Sequence, residues 1–563
     1  MNVRGILLVA VVFLYGTCLH GFAQPAGSRS IPDNGAHRPE DWPMWRRDAR
    51  RTAVSNQKLP NAVYMQWMRQ YPRVRSAFGS RRLQFDAGYE PVVMGKTLFI
   101  GSPCNDSVSA IDTETGTVKW MFYADGPVRF APVAWRSRVF VASDDGCLYC
   151  LDAAAGKLVW EFRAVPSNRK LIGNGRLISV WPIRGGPVLA EGRIYFAAGM
   201  WPFEGIFVYA LDAETGRVIW RNDRSGSLFL GHPHGASSFG GPGLQGYLLV
   251  NGKDLLVPNG IGGVPAFFDT KTGELQAFNH LANRIPGSWF IAGDPNGQLS
   301  IDPEYNRELH EDRFYETQWS SRGAWVHSPL DDLWLGRKWL PRPGSRQSIS
   351  VGGKTFPFAA GLEGVRGNVC SMIAGDGKMF VVTEDGGLYC FGAEEKTPKI
   401  HERRLRPLET VKDSWSREVE RILRITGKQS GYALVLGVGT GRLIEELTLR
   451  THMHIIAVDP DSGKVNAIRR RLDAAGLYGE RVVVHAARPN EFECPAYFAD
   501  LIVSEDLSAA GLSEGTSFVK RVFTLLRPYG AVACLSIPND RAAQFAAWVR
   551  QARLANAEVR RDD

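Results

Sequence analysis

Cysteine is scarce in this chain, which has only 8 among 563 residues. Cys18 lies in an N-terminal segment that we expect to be removed, and the seven that remain are widely spaced. An odd number of dispersed cysteines excludes the disulfide scaffold typical of small secreted domains. Cys147 and Cys150 fall in a strand-like sequence, where side chains three apart point to opposite faces. We therefore expect neither a redox pair nor a metal centre there.

Long apolar runs are also missing after the N-terminus. No later stretch reaches about eighteen uninterrupted apolar residues, the least that a membrane span needs. The first 23 residues differ: Arg4 precedes the apolar run 6–15, and Gly21-Phe22-Ala23 offers small residues for cleavage. These features predict a signal peptide of residues 1–23. The mature chain is then exported to the periplasm or cell envelope and has no membrane span.

Strong charge of one sign is absent as well. The formal net charge of +9 is mild for this length, and the basic residues are scattered along the chain. Scattered basic residues favour solvated faces over a nucleic-acid surface, so we expect no nucleic-acid partner. A chain of 563 residues is too long for one core, which predicts two or more domains.

Glycine and tryptophan are the residues that this chain does have, and they recur at fixed spacing. Four segments share an alternating strand, a second strand ending in Asp, a Gly four residues later and a third strand. They contain Asp112-Gly116-Trp120, Asp152-Gly156-Trp160, Asp212-Gly216-Trp220 and Asp269-Gly273. A fifth segment, 378–392, keeps only the first half. Such periodicity predicts repeated β-sheet units in which Asp caps a tight turn and Trp packs between neighbouring units.

This Asp-x-x-x-Gly-x-x-x-Trp pattern resembles the PQQ repeat of quinoprotein dehydrogenases and of outer-membrane-assembly propellers of the BamB kind. Residues 41–48 also resemble the opening of such propellers, and the likeness covers about residues 41–392. It implies an all-β propeller, within 24–392, that can bind protein partners. PQQ itself is not expected, because the chain has no adjacent Cys-Cys pair, no Cys-x-x-Cys-His motif and few repeats.

Two boundaries follow from where the repeats stop. An irregular insert near 280–370 interrupts the propeller, and a polar linker of residues 393–412 ends it. From 413 to 563 the pattern alternates strand and helix, which predicts a parallel sheet with helices on both faces. The predicted strands are 432–436, 454–458, 481–485, 500–504 and 530–535, and Ser414 is predicted to cap the first helix. We expect the last strands of this domain to be missing and the propeller to be incomplete, as in a truncated chain.

A glycine-rich turn joins the first of these strands to the next helix. Gly437, Gly439 and Gly441 would let the backbone approach a nucleotide cofactor, and Asp459 ends the second strand, where an acid can accept ribose hydroxyls. Over about 413–545 the domain resembles class I S-adenosylmethionine (SAM)-dependent methyltransferases, a Rossmann-like family. The resemblance implies that these four residues bind SAM. Val435 and Ala486-Ala487 replace two acids that the family usually carries.

Two glutamates mark a candidate catalytic loop. Glu505 follows the fourth strand and Glu514 lies nine residues later, the spacing at which protein arginine methyltransferases hold a guanidinium. Two carboxylates suit a bidentate cation. The alternative is an acidic surface loop with Glu505 near the cofactor.

Three functions remain open from the sequence. The first is a SAM-binding, methyltransferase-like enzyme carried on an exported propeller, with Glu505 orienting the substrate. The second is a non-catalytic envelope scaffold whose propeller binds protein partners. The third is a PQQ-dependent dehydrogenase.

Overall fold

The computed structural model describes residues 38–78, 84–231, 237–259, 265–278, 289–293, 299–301, 342–343, 347–359, 362–555 and 557–561. The predicted signal peptide, residues 1–23, lies outside them. Within this described part, no helix is both long and apolar enough to cross a bilayer. An all-β region is followed by an α/β domain, which confirms the predicted fold class.

Four successive four-stranded antiparallel units form the first blades of the propeller. The chain enters through β1 (Val54–Ser55) and β2 (Tyr64–Gln70). Blade 1 contains β3 to β6 (Val92–Met94, Thr97–Ser102, Ser107–Asp112, Val118–Tyr123) and blade 2 contains β7 to β10 (Val133–Trp135, Arg138–Ala142, Cys147–Asp152, Leu158–Arg163). After the hairpin β11–β12 (Lys170–Gly173, Arg176–Ser179), blade 3 contains β13 to β16 (Ile183–Ala190, Arg193–Ala198, Phe207–Asp212, Val218–Asn222). The hairpin β17–β18 (Leu228–Gly231, Ser237–Gly240) follows, and β19 (Gly246–Tyr247) then adds a parallel fifth strand to the blade 3 sheet. Blade 4 contains β20 to β23 (Leu249–Asn251, Asp254–Val257, Ala266–Asp269, Leu275–Ala277).

The repeated Asp, Gly and Trp explain how one blade joins the next. Each Asp accepts backbone N–H groups in its own turn, as Asp152 does from Ala155 at 2.7 Å. Gly156 adopts φ of 66°, and a Cβ there would lie 2.5 Å from the Trp120 ring of the preceding blade. The Trp120 indole N–H donates to the Ala153 carbonyl at 3.0 Å. The predicted packing of tryptophan between neighbouring blades is therefore confirmed.

The last blade is completed by the first long strand of the propeller. Between blade 4 and this blade lie β24 to β26 (Ile291–Gly293, Leu299–Ile301, Arg342–Pro343) and β27–β28 (Ser348–Val351, Lys354–Pro357), within the predicted irregular insert. The closing blade contains β29 to β31 (Val369–Gly375, Lys378–Thr383, Gly387–Gly392), and β32 (Lys399–His401) follows. Strand β2 inserts between β31 and β32. Its Trp67 indole donates to Thr113 of blade 1 at 2.9 Å, so the closing blade is joined to the first.

The C-terminal domain is built on one five-stranded parallel sheet. Its strands are β33 to β37 (Tyr432–Leu436, His454–Asp459, Val482–Ala486, Leu501–Val503, Val532–Ala533), in the order β35-β34-β33-β36-β37. Helices α1 to α5 are Ser414–Thr426, Arg442–Arg450, Ser462–Ala474, Thr516–Leu525 and Asn539–Ala552. The order reverses between β33 and β36, and the polypeptide leaves both strands at one edge of the sheet. Ligands of doubly wound folds bind at such a reversal.

The start of α1 differs by one residue from the sequence prediction. Asp413, not Ser414, is the N-cap, and its side chain accepts the Ser416 N–H at 2.8 Å. The Ser416 hydroxyl accepts the Asp413 N–H at 3.0 Å, which completes a capping box. Aspartate and serine both cap helices well, so sequence alone does not choose between the two adjacent residues.

Candidate functional site

The glycine turn after β33 has the backbone geometry that its sequence predicts. Gly437, Gly439 and Gly441 have φ of 73°, 51° and 87°, a region that favours glycine. A Cβ at Gly437 would lie only 2.1 Å from the Asp506 carbonyl oxygen. The turn therefore needs glycine at this position because the chain's own loop after β36 approaches it closely.

Asp459 lies at the end of β34, beside the glycine turn, but its carboxylate faces backbone groups. It is 0% exposed. One carboxylate oxygen accepts the Val438 N–H and the other accepts the Asp461 N–H, each at 2.9 Å. Both oxygens thus stabilise the local backbone. Asp459 therefore has a structural role at the position where the sequence predicts a ribose-binding acid.

Glu505 occupies the space above the same turn. Its carboxylate accepts the backbone N–H groups of Thr440 at 2.7 Å and Leu443 at 3.0 Å. A Cβ at Gly439 would lie 2.7 Å from Glu505 Cγ. Gly441, the N-cap of α2, has no side chain to satisfy the first turn of the helix. Glu505 supplies that acceptor and places a negative charge at the positive end of the helix.

Glu514 has a different partner. Its carboxylate pairs with the Arg521 guanidinium of α4 at 2.7 Å. Each of the two predicted catalytic glutamates thus bonds to the chain itself, Glu505 to the turn and Glu514 to Arg521.

An ion pair that the sequence analysis missed lies beside Glu505. Lys464, in the first turn of α3, lies 3.7 Å from the Asp506 carboxylate in the loop after β36. The pair thus connects the segment that follows the second strand with the segment that follows the fourth. Asp506 directly follows Glu505 in the sequence, but nothing there signals its pairing with a lysine 42 residues earlier.

The propeller holds a separate cavity of about 120 Å³. Aromatic and charged side chains line it, among them Trp42, Trp45, Arg46, Phe85, Glu90 and Trp289. Pockets that bury a small organic ligand usually measure roughly 300–1,000 Å³. The cavity has suitable chemistry for an aromatic acid but a small volume.

A buried ionic network joins the loops of blades 1 to 3. Arg129 donates to Asp144 at 2.7 Å and to Asp86 at 2.5 Å, and Arg184 donates to Asp144 at 2.9 Å. All four side chains are at most 5% exposed. The described residues contain no cluster of three or more metal-ligating side chains. Sequence reasoning overlooked this network because its members are far apart in the chain and match no motif.

Family models match both regions of the chain. A model described as outer membrane protein assembly factor BamB matches residues 43–181 and 132–302. A model described as a methyltransferase domain matches residues 433–530.

Among known proteins, the dehydrogenase subunit of a quinone alcohol dehydrogenase from Gluconacetobacter polyoxogenes is 34% identical over 126 residues, which cover 20% of this chain and 16% of that relative. The chain thus spans about a sixth of that relative. The crystal structure of a quinohemoprotein alcohol dehydrogenase from Comamonas testosteroni has 16% identity and a TM-score of 0.37, covering 70% of this chain and 86% of the other. A SAM-dependent methyltransferase structure from Methanococcus maripaludis, itself described as unproven, has 22% identity and a TM-score of 0.20, covering 25% and 64%.

These relatives bear on the predicted cofactors. Because matched proteins are quinone-dependent dehydrogenases, the comparisons do not support the sequence-based exclusion of PQQ. The methyltransferase match supports SAM as the cofactor typical of the second domain. The chain therefore combines a propeller of the BamB-type PQQ-repeat family with a domain of the methyltransferase family.

Proposed function

We propose that this chain is an exported envelope scaffold in which the propeller binds protein partners and the methyltransferase-family domain serves as a structural module. The predicted signal peptide and the match to an outer-membrane assembly factor support the location. The proposal divides the chain into a signal peptide of 1–23, a propeller of 24–392, a linker of 393–412 and the module of 413–563.

The observation that carries this proposal is the occupied glycine turn. Thr440 and Leu443 direct their N–H groups at Glu505, and each oxygen of the Asp459 carboxylate accepts a backbone N–H. The Lys464–Asp506 pair connects the two segments that would have to flank a cofactor. SAM would have to displace Glu505 and take over hydrogen bonds that the buried Asp459 already makes, and each displaced bond costs affinity.

Titration with SAM by calorimetry tests the scaffold against the enzyme. We expect no binding heat at micromolar protein for the intact chain. We also expect binding to remain absent in Asp459→Ala. Micromolar binding by the intact chain that disappears in Asp459→Ala would instead establish the methyltransferase-like function, with Gly437, Gly439, Gly441 and Asp459 holding SAM.

The variant Glu505→Ala shows whether the carboxylate is the obstacle. Alanine removes the acceptor over the turn and leaves the Thr440 and Leu443 N–H groups open to a ligand. If SAM binds only to this variant, the result would support the Glu505 carboxylate over the glycine turn as the reason that the unaltered chain gives no binding heat. The exposed Glu491 offers a matched control, and Glu491→Ala should behave like the unaltered chain.

A second candidate, PQQ-dependent oxidation, is favoured by the quinone-dependent relatives and by the aromatic cavity beside Trp45 and Arg46. An arginine among tryptophans suits a planar carboxylate through charge and stacking. We expect no change in the quinone absorption spectrum when PQQ and calcium are added to the purified chain. A spectral shift that is lost in Arg46→Ala would move the function to this candidate.

A further inference from the structure

The propeller and the C-terminal domain meet along a polar seam. On the propeller side it contains Asn105, Tyr123, Asp125 and Lys170, and on the other side Arg469, Asp473, His485 and Glu493. The Tyr123 hydroxyl donates to Asp473 at 2.9 Å, and the Asn105 amide donates to the same carboxylate at 3.0 Å. The Lys170 backbone N–H donates to the Glu493 carbonyl at 3.1 Å. Arg469 forms an ion pair with Asp125.

His485 lies inside this seam without a hydrogen-bond partner. It is 2% exposed, and neither ring nitrogen has a hydrogen-bond partner among the residues that the structure describes. Its ring packs on Phe492 with centroids 4.8 Å apart, and the Lys170 ammonium lies 5.5 Å from the centroid of that same Phe492 ring. A buried imidazole with two unsatisfied nitrogens is stable only in its neutral form.

The charges around His485 oppose a proton on it. Lys170, Arg176 and Arg469 are cations that oppose a proton on the ring, and Asp125 is the anion that favours it most. Arg469 already pairs with Asp125 and also donates to the Val484 carbonyl at 2.7 Å. Asp125 therefore has little capacity to offset a further positive charge.

We propose that His485 is an acid-operated release for the contact between the propeller and the C-terminal domain. While the seam is closed, His485 stays neutral and is not in contact with water. When the seam opens, water reaches the ring and a proton can bind. Protonation of His485 therefore favours the open seam, in which the propeller surface around Asp125 and Lys170 is accessible.

The pKa values give the sign and size of this effect. Burial lowers the pKa of His485 from 6.5 to about 3. The open form thus gains protons as the pH falls through 6.5, and going from pH 7.5 to 5.0 favours opening about 30-fold. Asp145, which neighbours Asp125, acts in the opposite direction because burial raises its pKa to about 6. Burial also raises the pKa of Asp106, so both carboxyls favour closure on acidification, and the contribution of His485 is the difference between the unaltered chain and a variant without the imidazole.

Hydrogen exchange of the full chain tests the proposal, with the Lys170 amide as reporter because its hydrogen bond crosses the seam. After correction for intrinsic rates, acidification from pH 7.5 to 5.0 should lower its protection factor about 30-fold more in the unaltered chain than in His485→Phe. In Asp145→Asn the protection factor should fall further on acidification than in the unaltered chain, because one opposing carboxyl is removed. Amides of β34, inside the C-terminal domain, report its global opening and serve as the reference.

The exposed His452 of the same domain provides the matched control, and His452→Phe should follow the unaltered chain. A His485→Phe chain with the same pH response as the unaltered one would overturn the proposal. A second measurement uses the unaltered protein and so does not depend on the folding of the variant. NMR of the imidazole should show that His485 stays neutral down to pH 4. A proton uptake by His485 near pH 6.5 in the closed protein would equally overturn the idea.

Discussion

Replacing Trp67 with alanine is expected to lower the free energy of unfolding of the propeller by about 3–5 kcal/mol. The Trp67 side chain is 0% exposed, and its ring contacts Phe380 with centroids 5.9 Å apart. Its indole N–H bonds to Thr113, and a Cβ at Gly116 would lie 2.7 Å from the ring. Alanine leaves a cavity at the joint between the closing blade and blade 1, and the Thr113 carbonyl there keeps only the weak Cys390 thiol donor at 3.7 Å. Urea unfolding followed by circular dichroism measures the loss.

Trp160 supplies the control for this substitution. It makes the same type of contact between blades 2 and 3, with its indole N–H 3.2 Å from the Glu214 carbonyl. Its side chain is only half-buried, so Trp160→Ala removes less apolar area from the folded state. We expect a smaller loss than for Trp67→Ala. An equal or larger loss for Trp160→Ala would mean that the contact of β2 with blade 1 contributes no more to propeller stability than the other contacts between blades.

Sequence predicts the blades but not their closure. Asp152, Gly156 and Trp120 interact within one unit or between consecutive units, so their spacing along the chain carries the information. Strand β2 pairs with β31 more than 300 residues later, and no local pattern encodes such a pairing. The half repeat at 378–392 gave one usable signal, because a unit without its own tryptophan strand needs one from elsewhere. Strand β2, residues 64–70, supplies that strand, and Trp67 is its tryptophan.

The candidate site divides in the same way. Gly437 and Asp459 were correctly placed together because parallel strands in a doubly wound sheet end at one edge. What the Asp459 carboxylate and Glu505 bind was not predictable. Those contacts depend on how closely the loop after β36 approaches the loop after β33, a distance that no spacing in the sequence fixes. Glu505 and Glu514 each bond to the chain itself. The catalytic roles that the sequence predicts for them stay predictions.

Asp144→Ala is expected to cost about 3–5 kcal/mol of propeller stability, because it leaves two buried guanidinium groups with one carboxylate. Asp144 is 1% exposed and accepts hydrogen bonds from Arg129 and Arg184 on a single oxygen. Without it, Arg184 loses its ion-pair partner, while the faces of Phe78 and Phe85 still lie 5.8 and 5.7 Å from its guanidinium. Asp144→Asn keeps the shape but not the charge, so we expect an intermediate loss. Thermal and urea unfolding of the full chain measure both variants.

An exposed ion pair between the same blades separates burial from charge. Arg136 and Glu214 lie 3.2 Å apart with side chains 52% and 62% exposed, so water solvates either group when the other is removed. Glu214→Ala should cost less than about 1 kcal/mol.

The contrast also has a structural consequence, because Asp144 precedes Asp145 and Asp145 accepts the Asp125 N–H at 3.0 Å. Loss of Asp144 should therefore loosen the seam as well as the blades, whereas Glu214→Ala should leave the protection of the Lys170 amide unchanged. Equal losses in the two variants would show that the buried network carries no more stability than a solvated pair.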